Sequence, residues 1–163
     1  MSRRLPVLVL LVAPYALLAL LVVFWGQGKL LAAGIAWAAV CLFAFLPCMA
    51  CAFFLPRKGW SARQLLFWNM LLKVCNMPFF FGVFLAGMMM SVFVIPLLPF
   101  FVLLDYSVLL PSTMYGLSGL LQARREGRID TKALIIFGAL QFFFCLDVVS
   151  AVCVYANARK WEA

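Results

Sequence analysis

Two aspartates and a lysine, Asp105, Asp147 and Lys73, interrupt long apolar runs of this chain. An ionisable group carried into a bilayer costs about 2.5–3.5 kcal/mol even on the lenient insertion scale, so such residues are functional candidates by default. Asp147 lies in ALIIFGALQFFFCLDVVSAVCVYA, about 21 Å past Ala133 if that run is one helix. Asp105 precedes Leu121 by about 24 Å on the same reasoning, so both carboxyl groups are expected at one depth. Two carboxylates in one low-dielectric site cannot both ionise comfortably, and at least one is expected to hold a proton near neutral pH. Asp105 and Asp147 are therefore the ion- or proton-binding candidates. The structural alternative is a neutral aspartic acid that hydrogen-bonds a carbonyl or hydroxyl and fixes two helices.

In LLFWNMLLKVCNMPFF, Asn69, Lys73 and Asn76 fall at i, i+4 and i+7 and form one polar stripe on a helix. Lys73 lies about 12 Å past Leu65, and helical side chains lean toward their own N-terminus. Its ammonium is thus expected to snorkel toward the cytoplasmic end rather than meet an aspartate. The stripe reads as an inward polar face near the mouth of a pathway. Ser112, Gly116 and Gly119 follow Asp105 at i+7, i+11 and i+14, a small and polar face suited to close packing, with Ser112 as a further pathway candidate. Ser150 shares a face with Asp147.

Cys48-Met49-Ala50-Cys51 is a C-x-x-C, a motif that four-span thiol oxidases passing electrons to quinones use near a membrane surface. Cys48 and Cys51 are accordingly redox candidates, and a membrane thiol oxidoreductase is one alternative. Against it, the basic loop that follows puts the motif on the reducing side, and no second pair is spaced to relay electrons. Cysteine is also an ordinary apolar residue in a buried helix. Met88, Met89 and Met90 point in three directions on a helix and cannot converge on a soft metal. With no histidine in the chain, most zinc sites and histidine-based catalysis are excluded. No catalytic set, metal or cofactor is assigned.

The elements that must position these residues follow from composition. The chain has 163 residues, 68% of them apolar, 11% charged, and its mean hydropathy is +1.14. Soluble domains carry roughly 25% charged residues, so the bilayer is the expected solvent. The expected fold is an all-α polytopic transmembrane bundle without a soluble domain, most simply one transmembrane domain over 1–163. Its spans are expected at about 5–25, 30–55, 65–90, 97–121 and 133–156. The first, after Arg3 and Arg4, has an apolar run too long for a signal peptide and reads as an uncleaved anchor. For the middle spans the alternative is a surface helix over 61–77, a crossing over 79–104 and an outer turn at Asp105-Tyr106-Ser107. Pro96 and Pro99 favour the break of the first arrangement.

The net charge of +8 comes from basic residues scattered among loops, not from a stripe that could follow a nucleic-acid backbone. Their distribution instead sets direction. Arg3, Arg4, Arg57, Lys58, Arg63, Arg124, Arg125, Arg128 and Lys132 share one side in a five-span plasma-membrane protein with a cytoplasmic N-terminus. Arg159 and Lys160 then fall outside, which keeps a four-span version with one re-entrant segment as the alternative. Ala32, Ala36 and Ala39 offer a small-residue groove to another helix, in this chain, in a second copy or in a membrane partner.

KVCNMP at 73–78 together with QFFFCLDVVSAV at 141–152 resembles small uncharacterised bacterial integral-membrane proteins. That resemblance implies a multi-pass membrane protein and carries no activity over. The working expectation is a carrier-like or channel-like bundle with a protonatable carboxylate site. A non-catalytic scaffold or accessory subunit is the competing class.

Overall fold

Apolar runs of this length can satisfy their backbone N–H and C=O groups only from within, and the chain does so with helices. The computed structural model describes residues 5–56, 59–91, 98–143 and 146–161, and among the described residues there is no strand. Arg3, Arg4, Arg57, Lys58, the break expected at Pro96, Phe144 and Cys145 lie outside the described residues. The helices are α1 (Leu5–Gly26), α2 (Leu30–Val40) and, after a π-helical turn over Cys41–Phe45, α3 (Leu46–Phe54). Then come α4 (Ala62–Ser91), α5 (Leu98–Arg125), α6 (Thr131–Leu140) and α7 (Leu146–Arg159).

Four stretches are long and apolar enough to cross a membrane, by length and composition: Leu5–Phe24, Leu31–Phe54, Ala62–Met89 and Pro99–Arg125. Large apolar side chains stand on their outer faces, among them Leu31 at 82% exposure and Phe43 at 77%. So much exposed apolar surface is foreign to a soluble monomer. α4 runs through Pro78, and Asp105-Tyr106-Ser107 lies inside α5. Helices therefore cover Ala62–Ser91 and Leu98–Arg125, and Asp-Tyr-Ser is not a turn.

The chain divides into two compact units. The first comprises Met1–Cys48 with Asn76–Val108. In it α1 and α2 form a hairpin turned at Gly28 (φ +69°), where Lys29 N–H donates to the Phe24 carbonyl at 2.9 Å. The Trp37 indole N–H donates to Ser107 Oγ at 3.3 Å, and its ring meets Phe100 edge-on at 5.8 Å.

The second unit comprises Met49–Cys75 with Leu109–Ala163. Ser61 and Gln64 cap α4 reciprocally, each accepting the other's backbone N–H at 3.3 Å. The Glu126 carboxylate approaches the same helix start, accepting from Ala62 N–H at 3.4 Å. α5 closes in a Schellman motif. Gly127 takes φ +69°, its N–H donates to Arg124 and the Arg128 N–H to Ala123. Ser118 Oγ ties α5 to α3 through the Ala52 carbonyl at 2.7 Å. The small face of α5 lets α4 approach, since a Cβ at Gly119 would lie 3.0 Å from the Leu66 side chain.

The stretch expected as a last span over 133–156 is two helices. α6 stops at Leu140, the chain turns at Gln141–Phe143, and α7 runs back. Ser150 Oγ donates to the Phe137 carbonyl at 3.3 Å. An apolar cluster of Leu66, Leu120, Val154 and Ala158 gathers Ile129, Leu134 and Phe137 from the start of the hairpin with Tyr155 and Trp161 from its end. The two helices are thus antiparallel, and the chain leaves this hairpin on the side where it entered. The reason for the stop is Gln141. A helix end leaves carbonyls unpaired, and here the Gln141 carbonyl accepts from Thr113 Oγ1 at 3.1 Å. Its side chain occupies the space above Gly116, where a Cβ would collide with the carboxamide. Ten residues of α6 reach about 15 Å, half of a 30 Å hydrocarbon core.

Candidate functional site

At the tip of the hairpin Asp147 meets Lys73. The distance from Lys73 Nζ to Asp147 Oδ2 is 3.2 Å, and the side chains are 0% and 2% exposed. This corrects the expectation that Lys73 snorkels away from the aspartates. The error came from treating 133–156 as one helix, which set Asp147 far deeper than Lys73. The hairpin brings it back. Lys73 lies about 17 Å along α4 from Ala62, and Asp147 about 18 Å along α7 from Arg159, so both reach one level. Asp147 also occupies the first turn of α7, where the helix dipole favours a carboxylate.

The surroundings hold more hydrogen-bonding capacity than they use. Asn69, four residues before Lys73, is fully buried, and neither its Oδ1 nor its Nδ2 has a hydrogen-bond partner among the described residues. The same holds for both side-chain polar atoms of Gln141. Lys73 Nζ and Asp147 Oδ2 are within ion-pair distance but make no well-aligned hydrogen bond, and an ammonium has three donors to place. An unsatisfied buried polar group costs about 1–3 kcal/mol. Sites of this kind ordinarily hold water or a small polar solute. The chemistry available is that of a buried ion pair together with buried side-chain donors and acceptors that no described residue uses.

Of the other candidates, Ser112 and Cys51 belong to the second unit with the pair, and Asn76, Asp105 and Cys48 belong to the first. Asn76 is buried with an unpartnered Oδ1 and belongs to the first unit. Ser112 is buried and donates to the Leu109 carbonyl of its own helix at 2.8 Å. Asp105 is half-buried on α5 with Oδ1 unpartnered, and it belongs to the first unit whereas Asp147 belongs to the second. The Cys48 thiol is buried and donates to the Pro6 carbonyl at 3.4 Å, while Cys51 is a half-buried thiol.

Gln141 and Thr113 were not singled out by sequence reasoning. A signal existed: Gln141 is a neutral polar residue in the middle of an apolar run, three positions after Gly138. A polar residue in such a run marks a place to look for a neighbouring helix. On α5, Thr113 donates to the Gln141 backbone carbonyl and Gly116 leaves room for its carboxamide, whose polar atoms stay without a partner among the described residues.

The model of a family of unknown function, DUF6652, matches residues 5–160. No curated protein and no solved structure matches the chain.

Proposed function

We propose that this chain, which belongs to the DUF6652 family, is an integral membrane protein of the carrier or channel kind with the Lys73–Asp147 pair as its polar centre. In this reading four helical stretches cross the plasma membrane, and α6–α7 is a re-entrant hairpin dipping halfway from the cytoplasmic side. The basic residues support it. Arg159 and Lys160 join Arg3, Arg4, Arg57, Lys58, Arg63, Arg124, Arg125, Arg128 and Lys132 inside, leaving Lys29 alone outside.

The observation that carries the proposal is a 3.2 Å buried ion pair whose Asp147 lies in the first turn of α7, just after the chain turns back from α6. Broken backbone within the hydrocarbon region is tolerated only inside protein or beside a water-filled cavity. Carriers place their ion and substrate sites at such interruptions. The solute is a proton or a small cation that competes with Lys73 for the Asp147 carboxylate, with Asn69 and Gln141 supplying neutral ligands. Asp105 is proposed as a second protonatable carboxylate and Asn76 as part of the approach.

A second reading has its own support. Thr113 and Gly116 hold the hairpin tip closely enough for the pair to be only a latch in a scaffold. Proteoliposomes containing a pH-sensitive dye separate the two under an imposed potassium diffusion potential. The carrier reading expects wild-type vesicles to discharge a proton or sodium gradient faster than empty ones. It expects Asp147→Asn, inserted and eluting like wild type, to fall to the empty-vesicle rate. Wild-type flux equal to that of empty vesicles, or full flux in Asp147→Asn, would leave the scaffold.

A further inference from the structure

The chain passes between its two compact units three times, after Cys48, after Cys75 and after Val108. We infer that these passages are flexible joints between the units, and that bending at them acts on the Lys73–Asp147 pair. The joints stand on the helices alone, whereas their use in transport rests on the carrier reading above.

Each passage carries a break in its helix. Pro78 has no N–H for the Val74 carbonyl, and the gap over 74–78 contains the passage of α4. Pro111 has none for the Ser107 carbonyl, and the gap over 107–111 contains the passage of α5. Ser107 and Ser112 bracket that gap. Their hydroxyls donate to the Leu104 and Leu109 carbonyls of the same helix at 2.7 and 2.8 Å, a back-bonding that bends helices. The remaining passage follows directly on Pro47 and the π-helical turn over Cys41–Phe45. There the Leu46 N–H reaches back five residues to the Cys41 carbonyl, and Pro47 has none for Phe43.

A kinked helix bends freely where no straight helix runs past the kink as a splint. Among the described residues, α1 and α2 lie wholly in the first unit and α6 and α7 wholly in the second. The helices that pass from one unit to the other are α3, α4 and α5, and all three are broken at the passage. Hinges of this kind need few residues, because each break absorbs the change in backbone angle locally.

Two anchors of the hairpin tip adjoin the joints. Lys73 lies in the turn of α4 just before its passage, and Thr113 in the turn of α5 just after its own. Both belong to the second unit, with Asp147 and Gln141. A bend over 74–78 or 107–111 thus redirects a helix within one turn of an anchor. It loads the 3.2 Å ion pair and the 3.1 Å bond from Thr113 to the Gln141 carbonyl.

The test uses the full chain on a cysteine-free background that elutes and unfolds like wild type, in lipid nanodiscs, spin-labelled in pairs for pulsed electron resonance. Leu20 with Leu103 reports within the first unit, Leu121 with Val149 within the second, and Leu103 with Val149 from one to the other; all four side chains are exposed. The expected result is a narrow distance distribution for each pair within a unit and a broad one between units. Pro47→Ala, Pro78→Ala and Pro111→Ala together should narrow the broad distribution to the width of the other two. Pro14→Ala, in a helix that makes no passage, should leave it unchanged. A parent distribution already as narrow as the controls, a width that the triple variant leaves unaltered, or an equal effect of Pro14→Ala would each overturn the joints. A narrowed triple variant that keeps full proton or sodium flux would remove their action on the pair. Wild-type vesicles without flux, with the broad distribution intact, would sink the carrier reading and leave the joints standing.

Discussion

Removing one half of the Lys73–Asp147 pair is the sharpest perturbation the structure offers. At 3.2 Å and an effective dielectric of about 20, the attraction between unit charges is about 5 kcal/mol. Deleting one partner of a buried pair costs about 3–5 kcal/mol, because the survivor is stranded without solvent. Lys73→Met and Asp147→Leu should therefore each remove about a fifth or more of a typical stability of about 5–15 kcal/mol. The double variant strands no charge, and apolar replacements of buried pairs are often neutral. It should recover most of the loss, with a coupling of about 3 kcal/mol or more between the positions. The measurement is reversible unfolding in mixed micelles with increasing dodecyl sulfate, followed by tryptophan fluorescence, on all four proteins. If the single losses simply add in the double variant within about 0.5 kcal/mol, the two groups do not interact and the site dissolves.

Three more outcomes follow from the hairpin. Gly116→Ala drives a methyl into the Gln141 carboxamide and should cost about 1–3 kcal/mol, and Gln141→Ala in the same chain should restore most of it, read by the same unfolding assay. Thr113→Val removes the donor to the Gln141 carbonyl and should cost about 1–3 kcal/mol, with faster deuterium exchange confined to residues near the hairpin tip. Reporter fusions after Gly127 and after Trp161 should report the same side of the membrane, and opposite sides would mean that α6–α7 crosses.

How much of this was legible in the sequence depends on what each residue's role required. The apolar runs announce their helices because backbone satisfaction leaves no alternative, and α4 and α5 stand where Leu65–Met90 and Leu97–Leu121 were read. Asp147 and Lys73 were visible as costly residues, since burial of a charge needs a cause wherever it occurs. Their meeting was not visible. It depends on the turn at Gln141, and hydropathy reads ALIIFGALQFFFCLDVV as one continuous segment. At the turn Thr113 donates to the Gln141 carbonyl and Gly116 leaves room for its side chain, contacts with another helix that a local reading of α6 does not contain. Arg159 and Lys160, which fall outside in the five-span reading, were with Gln141 a sequence clue to the returning chain, because a basic pair sits more readily with the other basic loops.

In the proposed membrane placement the hairpin inverts the usual distribution of polarity, and that inversion bears on how a carrier could work. Its base, toward the loop, is held by apolar contacts of Leu66, Leu120, Val154 and Ala158. Its tip is held by polar ones: Thr113 to Gln141 and Lys73 to Asp147. Apolar contacts survive hydration of their surroundings, whereas an ion pair weakens as the local dielectric rises. In the carrier reading, water or an ion arriving at the tip loosens the tip first and leaves the base as a hinge. In the carrier reading the solute that competes for Asp147 is also the agent that frees the hairpin, so binding and opening draw on one interaction. A latch made of leucines at the same depth would hold as firmly and could not be released in this way.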